Sequence, residues 1–206
     1  MFKFIEEYGI IAKGVIHVGA HSGQEYELYI ESGIDKILLF EPVKSNFLKL
    51  LDHIECGNKN VYCFNIALGN ETGEREMFIE TSNQGMSCSI LEPKEHLNQY
   101  PWIQFKTKEL VIIDKLDNIK FNRKDFNILN IDVQGFELEV FKGAIGTLKT
   151  IDAIFTEVNI KEMYKGCALI SDLDYFLGHN GFVRITEQPP DSWGEAVYIK
   201  NKFVKD

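Results

Sequence analysis

Three carboxylates end short apolar runs. Glu41 follows "KILLF", Asp132 follows "NILNI" and Glu157 follows "IDAIFT". A fourth run, "VIHV", ends in the small-residue loop Gly19-Ala20-His21-Ser22-Gly23. Gly19, Ala20 and Gly23 let backbone approach a ligand closely, and a helix opening near Gly23 offers free N–H groups. An acid directly after a strand, as Glu41 is before Pro42, can accept hydrogen bonds from both hydroxyls of a ribose. Asn65 and Ala67 in "NIALGN" are placed to flank an adenine. The loop spacing is G-x-x-x-G; the dinucleotide fingerprint G-x-G-x-x-G and the phosphate loop G-x-x-x-x-G-K-[ST] are both absent. Together these residues describe a site for a nucleoside with little or no phosphate, which suits S-adenosylmethionine better than NAD.

The elements needed to position them alternate. Val15–Val18, Lys36–Phe40, Val61–Ile66, Phe126–Ile131 and Ile151–Glu157 read as strands. Gln24–Ser32, Ser45–Ile54, Glu137–Leu148 and Ser171–Gly178 read as helices, with Ser45 and Ser171 as N-caps and Gly178 as a stop. Such a β-α-β-α order implies a mostly parallel sheet with helices on both faces. Phe182–Thr186 and Ala196–Lys200, joined by "EQPPDSWGE", read as an antiparallel pair at the end of the sheet. Residues 1–13 read as an N-terminal helix, and residues 72–116 as an irregular insertion forming a lid over substrate and cofactor. The whole chain, 1–206, reads as one domain.

Composition narrows the class. Hydrophobic residues make up 45% and charged residues 26%, the proportions of an ordinary globular protein. The net charge of −9 and the lack of Lys/Arg runs argue against binding a nucleic-acid backbone. No segment approaches the roughly 18 apolar residues that span a bilayer, and Glu6 and Glu7 interrupt the N-terminal apolar stretch. Cys56, Cys63, Cys88 and Cys167 have no metal-ligand spacing and read as reduced thiols in a cytoplasmic protein.

The stretches "VIHVGAHSGQE", "LLFEPVKSNF", "NIALGNETGE", "NILNIDVQGFELEVFKGA" and "IDAIFTEVN" resemble those of FkbM-type methyltransferases. "MSCSILEPKEHLNQYP" and "WGEAVYIK" resemble pieces found in a subgroup of that family. The resemblance runs from about Gly14 to Lys200. It implies a Rossmann-like class I methyltransferase fold, with a seven-stranded sheet and an antiparallel last strand. It also implies methyl transfer from S-adenosylmethionine to an oxygen of a sugar or other small metabolite. The chain departs from the pattern at His17, where many class members carry an acid, at His21, where Asn is frequent, and at Glu195, where Asp is commoner.

Methyl transfer to an alcohol needs an aligned acceptor and a base for its proton. Asp132 is positioned either to orient and deprotonate the acceptor or to bind the cofactor ammonium. Glu157, at the same sheet edge, shares the base role or joins Asp132 in holding a water-bridged magnesium. Two acids without further ligands are thin support for that metal, and no direct metal ligand is expected. His96 is a second candidate base. His17 is expected to support the glycine loop, and Ser87 to bind the cofactor from the lid. Ser89, Glu137 and Trp193 are candidate substrate contacts; for Glu137, stabilising a helix dipole is the competing role, and for Trp193, packing on its own hairpin. The acceptor class is a small molecule or glycan, with no nucleic acid and no membrane partner. An N- or protein methyltransferase is disfavoured by "DVQG" standing where N-P-P-Y-like motifs occur. A nicotinamide oxidoreductase lacks its fingerprint and a Tyr-x-x-x-Lys pair. A non-catalytic nucleoside-binding module would not need Gly19, Gly23, Glu41 and Asp132 together.

Overall fold

The computed structural model describes residues 2–54 and 60–204; Cys56 lies outside them. The first half contains α1 (Phe2–Glu6), β1 (Val15–Val18), α2 (Tyr26–Glu31), β2 (Ile37–Phe40), α3 (Lys44–His53) and β3 (Val61–Phe64). The middle contains β4 (Ala67–Leu68), β5 (Gly73–Glu80), α4 (Glu95–Gln99) and β6 (Phe105–Asp114). The remainder is β7 (Ile128–Ile131), α5 (Glu137–Lys142), α6 (Ile145–Leu148), β8 (Ala153–Asn159), α7 (Ile170–His179), β9 (Phe182–Arg184) and β10 (Trp193–Lys200).

The main sheet has seven strands in the order β3-β2-β1-β7-β8-β10-β9. β3, β2, β1, β7 and β8 run parallel, whereas β10 is antiparallel to both β8 and β9. This is the expected Rossmann-like α/β architecture. β10 inserts between β8 and β9, so β9 rather than β10 forms the sheet edge. The chain order reverses between β1 and β7, the place where open parallel sheets bind ligands.

Every residue of β1, β2, β7 and β8 is buried, as helices on both faces require. Alternation along each strand divides the core in two. Ile16, Val18, Leu38, Phe40, Leu129 and Ile131 pack with Val140, Phe141, Leu173 and Leu177 of α5 and α7. Val15, Ile37, Leu39 and Ile128 pack on the other face with Ile5, Tyr29 and Leu50 of α1, α2 and α3. No described helix is long and apolar enough to cross a membrane.

Several expected boundaries shift. Val43 precedes α3 and Leu169 precedes α7, so Ser45 and Ser171 sit inside their helices rather than capping them. The Leu169 N–H is instead held by the Asp172 carboxylate at 2.8 Å. α7 ends at His179, past Gly178. The expected helix 137–148 is two helices, because Gly143 packs against Gly69; a Cβ at Gly143 would lie 1.9 Å from the Gly69 carbonyl oxygen. Residues 72–116 are more ordered than expected. β5 and β6 pair antiparallel over most of their length and, with β4, form a second three-stranded sheet. Met77, Ile79, Val111 and Ile113 point inward from it, and the segment between β5 and β6 crosses the carboxyl edge of the main sheet.

Candidate active site

A cavity of about 300 Å³ lies at that edge. Its wall includes His17, Gly19, His21, Glu41, Pro42, Ala67, Asp132, Glu157 and Trp193. The parallel strands end on this side of the sheet, antiparallel β10 begins there with Trp193, and β4 of the second sheet adds Ala67. Gln24, Glu25, Met77, Met86, Asn130, Gln134 and Phe136 also line it and were not singled out from the sequence, as do Cys88, expected only as a reduced thiol, and Glu195, noted only as a departure from the family pattern.

Glu41 is buried just beyond β2. Its Oε2 accepts from the His21 N–H at 2.9 Å and its Oε1 from the Val43 N–H at 2.8 Å. The carboxylate therefore fixes the glycine loop while lining the cavity. Burial, opposed by those two bonds, pushes its pKa up to about 7. A carboxyl raised in this way stabilises the fold below its unfolded pKa, and that stability is lost as pH rises through the folded value. From an ordinary value of 4.5, the loss is about 3 kcal/mol by pH 8. Asp132, Glu137 and Glu157, all raised, act in the same direction. Urea unfolding at pH 5 and pH 8 tests this: because part of the loss has already occurred by pH 5, Glu41→Gln should remove about 2.5 kcal/mol of the wild-type difference. Equal pH slopes for the two proteins would sink the assignment.

Asp132 and Glu157 are joined by Gln134. The two hydrogens of its Nε2 go to Asp132 Oδ1 at 2.8 Å and Glu157 Oε2 at 2.9 Å. Its Oε1 accepts from the Tyr164 hydroxyl at 2.7 Å, and its backbone carbonyl accepts from Ser89 Oγ at 2.7 Å. Gln134 has a φ of 54°, a conformation uncommon for a residue with a side chain. These bonds over-determine it. Burial first, and the neighbouring Asp132 and Glu137 charges next, hold Glu157 well above the usual carboxylate range. Desolvation by the surrounding protein and the Glu195 charge raise Asp132, whose side chain nevertheless stays open to the cavity, while the Gln134 amide opposes the rise. Two carboxylates sharing one amide this closely retain a proton where ordinary acids are ionised.

His17 is buried, and burial lowers its pKa to about 3, so it is neutral. Asn130 Nδ2 donates to the Tyr29 hydroxyl at 2.8 Å, leaving the Tyr29 proton for His17 Nδ1 at 3.0 Å. That chain assigns the His17 hydrogen to Nε2. His21, with a φ of 48°, places Nε2 2.9 Å from the Gln84 carbonyl oxygen and so ties the glycine loop to the segment above it.

The other expected residues stand behind the wall. Ala20 is fully buried, and Gly23 closes the loop by donating to the Ala20 carbonyl at 2.8 Å. Asn65 donates to the Glu41 and Pro42 carbonyls, both at 2.9 Å, and so holds the Glu41 turn. Ser89 supports Gln134. Ser87 Oγ meets His96 Nε2 at 3.2 Å, and the Ser87 carbonyl oxygen lies 3.1 Å from the Tyr164 hydroxyl, whose single hydrogen has the closer Gln134 Oε1 as its acceptor. His96 is packed among Tyr100, Phe105 and Tyr164, and its Nδ1 has no partner among the described residues. It reaches the cavity only through the residues it supports. Glu137 is buried and accepts from the Val133 and Gly135 N–H groups at 3.2 and 3.0 Å, shaping the Gln134 turn. Among the described residues no three His, Cys, Asp or Glu side chains converge as a metal-ligand set.

The charge of the wall is one-sided. Glu25, Glu41, Asp132, Glu157 and Glu195 line it, with no Lys or Arg among the described residues. Such a cavity suits a cationic ligand and opposes a pyrophosphate.

Comparison with known proteins agrees with the architecture. A crystal structure of methyltransferase FkbM from Methylobacillus flagellatus KT superposes with a TM-score of 0.57 at 14% identity, covering 90% of this chain and 43% of that one. Sp1610 of Streptococcus pneumoniae, a putative tRNA (m1A22) methyltransferase solved with S-adenosyl-L-methionine, superposes at 0.51 with 14% identity, covering 96% and 72%. In sequence, 2-O-methyltransferase NoeI of Sinorhizobium fredii (strain NBRC 101917 / NGR234) is 30% identical over 111 residues, 50% of this chain and 45% of the relative. The match thus spans less than half the length of that relative. The methyltransferase FkbM domain model matches residues 17–184, a span that holds the glycine loop, Glu41, the bridged carboxylates and the segment above them, and the chain belongs to the FkbM methyltransferase family.

Proposed function

We propose that the chain transfers a methyl group from S-adenosylmethionine to a hydroxyl oxygen of a saccharide or glycan precursor. The observation that carries the cofactor reading is a cavity wall with five carboxyl groups and no Lys or Arg among the described residues, Glu41 standing just beyond β2. When bound, S-adenosylmethionine supplies an electrophilic methyl carbon on a cationic sulfur, together with an ammonium group. Glu41 keeps acceptor capacity for ribose hydroxyls beyond the two backbone bonds it makes. Glu25 and Glu195 supply negative charge for the cationic portion. NAD, with two phosphates, would meet carboxylates and no balancing cation.

Asp132 faces the open cavity and accepts the acceptor's hydroxyl proton. A carboxylate of raised pKa is a stronger base than an ordinary aspartate, which favours that transfer near neutral pH. Gln134 holds it in position, and Glu157, buried where Asp132 is exposed, retains the proton the pair shares. Oxygen as the acceptor atom is supported by the relative named as a 2-O-methyltransferase, and a saccharide by Trp193 at the wall. Amine methylation is less well served, because "DVQG" locks its amide between two carboxylates instead of presenting it to a substrate.

Calorimetric titration tests the reading. S-adenosylmethionine should bind wild type in the micromolar range, and Glu41→Ala should weaken it by about 1–3 kcal/mol, the loss expected for a charged hydrogen-bond partner. NAD should give no heat. Methyl transfer from isotopically labelled cofactor to a saccharide panel then tests the acceptor class. Binding of NAD in place of S-adenosylmethionine would overturn the cofactor assignment.

A further inference from the structure

The chain has two tryptophans, Trp102 and Trp193, and both belong to one aromatic run that starts at the cavity. Trp193 forms part of the wall and donates its indole N–H to the Tyr100 hydroxyl at 2.9 Å. The Tyr100 ring meets Trp102 edge-on, with centroids 5.5 Å apart. Trp102 is 62% exposed and Trp193 38%.

The run is built rather than incidental. The Ile103 N–H donates to the Tyr100 carbonyl at 2.9 Å, closing a turn that has Pro101 at its first corner. Proline there presets the backbone and holds Trp102 outward, while Ile103 is buried beneath it as the anchor. At the other end, Gly194 leaves room for the Pro189 ring, which lies 2.7 Å from where a Cβ would stand. The Gln99 side-chain amide donates to Ser192 Oγ, tying α4 to the start of β10. Large aromatics held rigid and left exposed at the mouth of a site mark binding surface.

Position adds the substrate direction. Glu195 pairs with Glu157 across β8 and β10, and Trp193 lies two residues beyond it on the same face. The cavity, about 300 Å³, is at the small end of ligand sites. A nucleoside joined to an amino acid occupies most of it. An acceptor must therefore reach Asp132 from the mouth, along Trp193.

We infer that Trp193, Tyr100 and Trp102 form an extended subsite on which at least two successive rings of a neutral oligosaccharide acceptor stack. This rests on the methyl-transfer reading above and deepens it: the acceptor is a chain of sugars rather than a single one. The C–H-rich face of a pyranose matches the electron-rich faces of these rings, while its hydroxyls stay in water at the rim. The acids nearby, Glu195 and the exposed Asp191, disfavour an anionic chain.

Because both indoles lie in this run, the intrinsic tryptophan fluorescence reports on it alone. Wild type and Trp102→Ala, each saturated with S-adenosylhomocysteine, are titrated with neutral oligosaccharides of one to six pyranose units and several linkages. Affinity should rise about tenfold or more with chain length for the best linkage. Trp102→Ala should lose that gain while keeping wild-type affinity for the monosaccharide and for S-adenosylhomocysteine, and Trp102→Phe should recover most of it. No fluorescence response to any saccharide, a response independent of length, or an unchanged Trp102→Ala would overturn the subsite while leaving the cofactor reading intact. A response to acyl chains alone would overturn it in favour of an apolar acceptor. Failure of wild type to bind S-adenosylhomocysteine would instead overturn the methyl-transfer reading itself.

Discussion

Asp132→Asn is expected to lower kcat by a factor of about 10²–10⁴, the range over which a positioned base contributes, or about 3–5 kcal/mol of barrier. The substitution keeps size and hydrogen-bonding shape, so the fold should persist. It removes the carboxylate that faces the cavity, and Gln134 Nε2, 2.8 Å from Asp132 Oδ1, can still donate to the remaining carbonyl. The pH profile carries the sharper information. Desolvation by the surrounding protein and the Glu195 charge raise Asp132, so wild-type kcat should increase with pH as Asp132 ionises while Glu157 keeps the proton the pair shares. That limb should vanish in Asp132→Asn. Adding Glu157→Gln should cost little more, because the two carboxylates act as one unit through Gln134. The competing role, binding the cofactor ammonium, makes a different pattern. Affinity for S-adenosylhomocysteine would fall by the same factor while kcat at saturation held, and that result would remove Asp132 as the base.

What could be seen in the sequence follows from how parallel sheets work. β1, β2, β7 and β8 are short fully buried runs, so they stand out as apolar stretches, and whatever follows each must lie at one edge. Glu41, Asp132 and Glu157 were legible for that reason alone. Gln134 was not, because its role depends on a left-handed turn and on Tyr164 arriving from thirty residues away. Nor were β5 and β6. In "GEREMFIE" and "FKTKELVIID" only one face is buried, and Leu110 and Ile112 stand exposed on the other, 63% and 57% accessible. This blurs the alternation that would have marked a half-buried strand. Ser87, Ser89 and His96 were recognised as residue types suited to chemistry. Their direction was beyond the sequence, since it is fixed by the packing of α4 against Tyr164 rather than by local pattern. Glu137 shows the same limit: the helix start was visible, but not that its carboxylate folds back onto the Val133 and Gly135 amides.

Gly19→Ala is expected to destabilise the protein by more than about 4 kcal/mol, beyond the usual range for a single substitution. Two independent penalties coincide there. Gly19 has a φ of 85°, which a residue with a Cβ adopts only at a cost. The added Cβ would also lie 1.7 Å from the Asp132 carbonyl oxygen and 2.8 Å from its carbonyl carbon. Neither atom can swing aside. The Asp132 N–H is bonded to the Val18 carbonyl at 3.0 Å, and the Gly19 N–H to the Phe40 carbonyl at 2.9 Å, so the ends of β1, β2 and β7 are clamped together. Relief would require parting the sheet at its switch point. Gly33→Ala separates the two penalties: its φ is 77° with nothing within 4 Å of the new Cβ, so it should cost only about 1 kcal/mol. Urea unfolding of the two variants makes the comparison, and a Gly19→Ala protein within 1 kcal/mol of Gly33→Ala would refute the clamp. The consequence reaches the chemistry. A small residue in this loop invites the reading that backbone must come close to a ligand, yet the nearest atom it makes room for belongs to Asp132. The glycine that starts the cofactor loop thus also sets where the proposed base stands, and in any variant that still folds, displacement of Asp132 should reduce kcat before it reduces cofactor affinity.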